Sequence, residues 1–186
     1  MTQWFISDLH LGHKNVISLN NRPFKSIQQM EEEIVKRWNK KVQQNDVVYV
    51  LGDVVWGWNS NQIQELFTRL NGIKYLIYGN HDRLTPHEKA NVWAEIVPYK
   101  EINIGHEFVI LSHYPIFEWN CFFRKSYHLY GHTHGSLNLA EHTMKRDRPN
   151  MNCWDVGVDN NNFEPISWEE VKEKIANNIK QITERK

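Results

Sequence analysis

Apolar residues fall along this chain in short blocks, and block after block stops at a side chain that can ligate a metal or carry a proton. Trp4-Phe5-Ile6-Ser7 leads into Asp8-Leu9-His10, Val47-Val48-Tyr49-Val50-Leu51 into Gly52-Asp53, and Tyr75-Leu76-Ile77-Tyr78 into Gly79-Asn80-His81-Asp82. Phe108-Val109-Ile110-Leu111-Ser112 leads into His113, and Tyr127-His128-Leu129-Tyr130 into Gly131-His132-Thr133-His134. Short apolar blocks bounded by glycine predict strands buried on both faces. The residues just past the carboxyl ends of such strands are where open α/β sheets build their sites.

Elsewhere the apolar period is helical. Ile27, Met30, Ile34, Val35, Trp38 and Val42 share one helix face, and Ser26-Ile27-Gln28-Gln29 predicts a capping box in which Gln29 reaches back. Asn59 or Ser60 opens a second helix through Ile63, Leu66, Phe67 and Leu70, closed by Gly72. Thr85-Pro86-His87-Glu88 predicts a third, with Thr85 as cap, ending between Ala94 and Val97. Ser167-Trp168-Glu169-Glu170 caps a last helix using Val171, Ile175, Ile179 and Ile182. Residues 11–25 read as loop, Gly105-His106 as a hairpin turn between strands 101–104 and 107–111, and Asp155-Val156-Gly157-Val158 as the last strand. Early strands separated by helices and later strands in direct succession give a mixed α/β layout with parallel and antiparallel pairing.

A chain of 186 residues is the length of one well-cored domain, here 1–186. Its 22 Lys and Arg balance its 22 Asp and Glu, so no global positive field marks nucleic acid as an obligatory partner. No apolar run is long enough to span a bilayer, and no leader pattern precedes Asp8 and His10. Cys121 and Cys153 lack metal-ligand spacing and are too few for a disulfide framework. A reduced, cytoplasmic setting with no membrane partner is the expectation.

Asp8 and His10 are two apart, as are His132 and His134, and side chains two apart on an extended backbone point the same way. With Asp53, Asn80 and His113 they supply oxygen and nitrogen donors and no thiolate, more than one ion of moderate coordination number takes. Two ions fit better. Imidazole mixed with carboxylate suits manganese, iron, cobalt, nickel or zinc, whereas calcium and magnesium prefer oxygen alone. Two metals about 3.5 to 4 Å apart make a bridging water a usable nucleophile and clamp an in-line displacement, which points to phosphate ester cleavage.

Taken in order, Asp8-x-His10, Gly52-Asp53, Gly79-Asn80-His81-Asp82, Ser112-His113 and Gly131-His132-x-His134 resemble the full motif set of the calcineurin-like metallophosphoesterases. The resemblance implies a four-layer α-β-β-α sandwich, two mixed sheets face to face flanked by helices. It also implies one metal on Asp8, His10 and His134, a second on Asn80, His113 and His132, and Asp53 bridging them, with manganese first among the candidate ions. His81 would stand free of metal as proton donor to the leaving oxygen, with Asp82 fixing its orientation. Asp53 is followed by Val54-Val55-Trp56-Gly57, not by the Asp-Arg-Gly block of protein serine/threonine phosphatases, and the opening Ser7 to His13 looks more like small bacterial and phage phosphodiesterases. The expected activity is hydrolysis of a nucleotide or other small phosphodiester. A phosphomonoesterase or protein phosphatase, and a non-catalytic scaffold on the same fold, are the alternatives.

His13, three residues past His10, either contacts the substrate phosphate or is structural, while His87, His106, His128 and His142 read as structural or exposed. Trp56 and Trp58 follow Asp53, and Tyr114, Phe117, Trp119, Phe122 and Phe123 follow His113; these aromatics either wall a base-stacking pocket or belong to the core or an interface.

Overall fold

The computed structural model describes residues 1–185. In it the apolar blocks become strands of two mixed sheets. In chain order the elements are β1 (Gln3–Ile6), α1 (Val16–Leu19), α2 (Ile27–Lys41), β2 (Val47–Val50), α3 (Ser60–Phe67), β3 (Ile73–Ile77), α4 (Leu84–Ala90), β4 (Glu95–Val97), β5 (Tyr99–Ile104), β6 (Glu107–Ser112), β7 (Tyr127–Tyr130), α5 (Leu139–Met144), β8 (Cys153–Asp155), β9 (Ile166–Ser167) and α6 (Trp168–Glu184). One sheet runs β4-β3-β2-β1-β9, parallel except for the β1–β9 pair; the other runs β5-β6-β7-β8, parallel except for β5–β6.

Strand alternation sorts the side chains into layers. Phe5, Tyr49, Leu51 and Ile77 of the first sheet pack against Val109, Leu111 and Leu129 of the second, with Trp168, Val171 and Ile175 of α6 joining them. The opposite face of the first sheet, Ile6, Val48, Val50 and Leu76, packs against Met30, Ile34 and Trp38 of α2 and Ile63 and Phe67 of α3. Ile110 and Tyr130, on the outer face of the second sheet, meet Leu139 and Ala140 of α5 and Ile182 of α6. The result is the four-layer sandwich. Among the described residues no helix is long and apolar enough to cross a membrane.

Several elements depart from the sequence reading for local reasons. Ser26 accepts from Gln29 N as expected, but the Gln29 side chain takes Lys25 N instead of closing the box. The third helix starts two residues early, capped at Arg83 instead of Thr85, and stops at Asn91, whose left-handed conformation (φ 51°) ends it; the freed residues 95–97 pair with β3 as an edge strand. The strand expected at 155–158 lies instead at Cys153–Asp155 and ends there, because the Asn161 amide donates to the carbonyls of Asp155 and Gly157, both at 2.8 Å, and curls the chain into a turn. The short α1, α5 and β9 carry too few residues to show a period. The Gly105-His106 turn closes β5 and β6 as expected, with Ile104 paired to Glu107.

His128 is buried on β7, its Nδ1–H donating to Ile110 O at 3.2 Å and its Nε2 accepting from Ile116 N at 3.0 Å. Burial lowers its pKa from the ordinary 6.5 to about 4. Above pH 6.5 the ring is neutral in both states; below it the unfolded chain takes the proton first, and stability falls until the folded ring titrates as well. Chemical denaturation of His128→Gln should show lower stability at neutral pH but a decline between pH 6.5 and 4 shallower than the wild type's by up to about 1.4 kcal/mol per pH unit. Parallel curves would assign the acid sensitivity elsewhere.

Candidate functional site

Ends of strands from both sheets meet at one rim, and the sequence-predicted residues converge there. Asp8, His10 and His134 each bring a donor atom within 4.8 Å of the others, and Asp53, His113 and His132 do the same. Asp53 stands between the two clusters: its Oδ2 lies 3.6 Å from His10 Nε2, 3.5 Å from His113 Nε2 and 3.9 Å from His81 Nε2. Asn80 joins the second cluster, with Oδ1 3.0 Å from His113 Nε2. His13 lies outside both, its ring 5.8 Å from that of His10.

The aiming device is not the extended pleat that the i, i+2 spacing suggested. Asp8, His10, Asp53, His132 and His134 all have left-handed backbones, with φ between 49° and 69°. Such conformations cost roughly 1–3 kcal/mol each outside glycine and persist only where the surroundings hold them. Here Asp8 N donates to Gly52 O at 3.0 Å, His10 N to Asp53 O at 2.9 Å, and His132 N to the Asp8 carboxylate at 2.9 Å. Gly52 (φ 86°) permits the crowding: a Cβ there would sit 2.5 Å from Gly79 N and 2.7 Å from His113 Nδ1.

The chemistry of the donors fits a cation in each cluster. His113 Nδ1 is 2.7 Å from Leu51 O, so that nitrogen carries the proton and Nε2 presents a lone pair. The lone pair faces Asn80 Oδ1 and Asp53 Oδ2, three electron-rich atoms with no hydrogen between them. His134 Nδ1 lies 2.7 Å from both Asp159 Oδ2 and the Asn20 amide nitrogen; the carboxylate can only accept, so Nδ1–H donates to it and His134 Nε2 is left free. His10 Nε2 is buried with no hydrogen-bond partner. Burial and the Asp155 carboxylate push Asp8 up to about 8, while burial, His134 and Arg22 push His10 down to about 3. A carboxylate short of positive charge beside an imidazole held neutral is a pair that a metal ion would satisfy.

Three residues that the sequence did not reveal hold this arrangement. The Arg22 guanidinium, buried, donates to Asp8 O at 2.7 Å and Leu9 O at 2.9 Å, and pairs with Asp159 through bonds of 2.8 and 2.7 Å. Asp159 in turn holds His134, so one guanidinium ties the Asp8–His10 turn to the His134 ring. Asp155 accepts from Thr133 Oγ1 at 2.7 Å and Gly135 N at 2.9 Å, bracing the His132–His134 turn. Asp155 carried a usable signal, since it too ends a strand in a carboxylate; Arg22 and Asp159 lie in polar turns with no periodicity. Partners behind a metal-binding histidine are typically worth about 10–100-fold in affinity. Asp159→Asn should therefore bind manganese about 10–100-fold more weakly by calorimetric titration of protein shown folded by circular dichroism. Unchanged affinity would make Asp159 structural only.

Asp82 departs from expectation. Its carboxylate is fully enclosed and accepts from the amides of Asp53 and Gly79, both at 2.8 Å, and Val54 at 2.9 Å, with His87 Nε2 3.5 Å away. It fixes the backbone that carries Asp53, not the His81 ring, because side chains adjacent in a tight turn diverge. His81 is instead held through its own N–H, which donates to Asp53 Oδ1 at 3.0 Å, and its ring stays 41% exposed beside the clusters.

Comparison with known proteins agrees with this geometry. An uncharacterized protein of Methanocaldococcus jannaschii, MJ1445, is 32% identical over 165 residues, 88% of this chain and 85% of the relative. The gene 66 protein of Mycobacterium phage L5 is 30% identical over 77% of this chain and 82% of its own length. Among solved structures, the protein of unknown function AQ665 from Aquifex aeolicus superposes with a TM-score of 0.71 at 29% identity, covering 92% of this chain and 98% of the other. A model of the calcineurin-like phosphoesterase family matches residues 1–172, and the chain belongs to that family of metal-dependent phosphoester hydrolases.

Proposed function

We propose that the phosphoester hydrolysis of this family is, in this chain, cleavage of a phosphodiester, a nucleotide or another small diester, at a two-metal centre. The observation that carries the reading is the position of Asp53 Oδ2, 3.5 to 3.9 Å from the Nε2 atoms of His10, His113 and His81, where one carboxylate addresses both clusters and the spare histidine. Asp8, His10 and His134 would hold one ion, Asn80, His113 and His132 the other, and Asp53 both; imidazole with carboxylate suits manganese, or iron, cobalt, nickel or zinc. When bound, such ions supply Lewis acidity toward phosphoryl oxygens and lower the pKa of attacking water.

The chain's own groups do the rest. His81, kept near Asp53 but outside both clusters, donates the proton at Nε2 to the departing oxygen. Asp82 holds the Asp53 turn rigid, and the Arg22–Asp159 pair fixes His134. Preference for a diester is supported by the engagement of Arg22: its guanidinium is committed to Asp159 and two carbonyls and is not free to neutralise the extra charge of a monoester. Manganese-loaded protein should hydrolyse bis-p-nitrophenyl phosphate with higher kcat/KM than p-nitrophenyl phosphate. Cleavage of neither would end the hydrolase reading, and the reverse preference would make the protein a phosphomonoesterase.

A further inference from the structure

Among the described residues, two of the exposed large apolar side chains lie against imidazoles of the site. Trp56, 45% exposed, stacks on His13 with centroids 4.5 Å apart and planes 24° apart, and its ring lies 5.2 Å from that of His81. Tyr114, 47% exposed, stands edge to face with His132 and with His113, 5.0 Å from each. The first ring adjoins the side of the rim carrying His10 and His81, the second the side carrying His113 and His132. Exposed Leu19 and the hydroxyl residues Thr133 and Ser136 also border His132 and His134, but Trp56 and Tyr114 are the exposed rings stacked or set edge to face against the rim's imidazoles, flat platforms on either side of it.

We infer that Trp56 and Tyr114 bracket the substrate, each stacking a ring on one ester arm, so that the preferred diester carries a nucleobase. Trp56, beside His81, lies on the leaving-group side and Tyr114 on the side of the retained arm. The inference rests on the phosphodiesterase reading above. A nucleobase is the flat ring that biological phosphodiesters carry, and stacking on an aromatic side chain favours it without selecting among bases. Single stacked bases are typically worth roughly 5- to 150-fold in binding.

Two esters with the same leaving group isolate the retained arm: methyl p-nitrophenyl phosphate and thymidine 5'-p-nitrophenyl phosphate. Manganese-loaded wild-type protein should favour the thymidine ester in kcat/KM by roughly 5- to 150-fold. Tyr114→Ala should bring that ratio near unity. Trp56→Ala should keep the ratio, since both esters share the ring on the leaving side. Both side chains are substantially exposed, so neither change threatens the fold. A wild-type ratio near unity, or a full ratio retained in Tyr114→Ala, would overturn the inference. Equilibrium dialysis of thymidine 5'-monophosphate against methyl phosphate asks the same question without turnover. Tighter binding of the nucleotide that is lost in Tyr114→Ala supports stacking, and equal binding of the two rejects it. If neither ester is hydrolysed, the phosphodiesterase reading fails, and the dialysis still decides the stacking.

Discussion

Exchange of Asp53 for Asn is expected to abolish nearly all hydrolysis while leaving the fold in place. Asparagine has the same shape, tolerates the left-handed backbone that this position requires (φ 52°), and can still accept the His81 amide through Oδ1. What it removes is the one negative charge shared between the clusters, whose Oδ2 lies within 3.6 Å of both His10 and His113. Charge stabilisation at such a centre is worth several kcal/mol, so kcat/KM should fall by at least about 10³-fold. Steady-state kinetics with manganese, alongside an unchanged circular dichroism spectrum, would check this. A folded Asp53→Asn protein that keeps more than about a tenth of wild-type activity would remove Asp53 from the centre of the chemistry.

His81→Ala should show a different signature. Because His81 is assigned to proton delivery and not to metal binding, its loss should leave manganese affinity close to that of the wild type and act on kcat. The size of the effect depends on the leaving group. General acid catalysis contributes about 10²- to 10⁴-fold, and the full loss should appear with an alkoxide leaving group such as the nucleoside of a dinucleotide. With p-nitrophenolate, which departs without a proton, the loss should be about tenfold or less. Equal losses on both substrates, or a parallel loss of bound metal, would place His81 among the metal-holding residues instead.

What the sequence revealed and what it hid follow from the range of the interactions. Strands and site positions were legible because an apolar run ending in Asp, Asn or His is a local pattern, and packing of alternate faces left each such residue at a strand end. The reason the side chains aim together was not legible. Left-handed turns at Asp8, His10 and His132 are held by hydrogen bonds between strand ends that are remote in the chain. Arg22 and Asp159, 137 positions apart, meet only once both sheets are assembled. The pairing of His81 with Asp82 is what the family resemblance implies, but the backbone amides of Asp53, Val54 and Gly79 claim the carboxylate instead. The third helix is shorter than its sequence predicts because a single residue, Asn91, ends it, and the strand that follows is recognisable only from its partner β3.

Two cations sharing one carboxylate are the heart of the proposed centre. Anomalous diffraction at the manganese edge, from crystals of protein loaded with that ion, tests it most directly. Two peaks per chain are expected, one against Asp8, His10 and His134, the other against Asn80, His113 and His132, with Asp53 touching both. A rim without anomalous signal, or a lone peak that Asp53 does not contact, would contradict it.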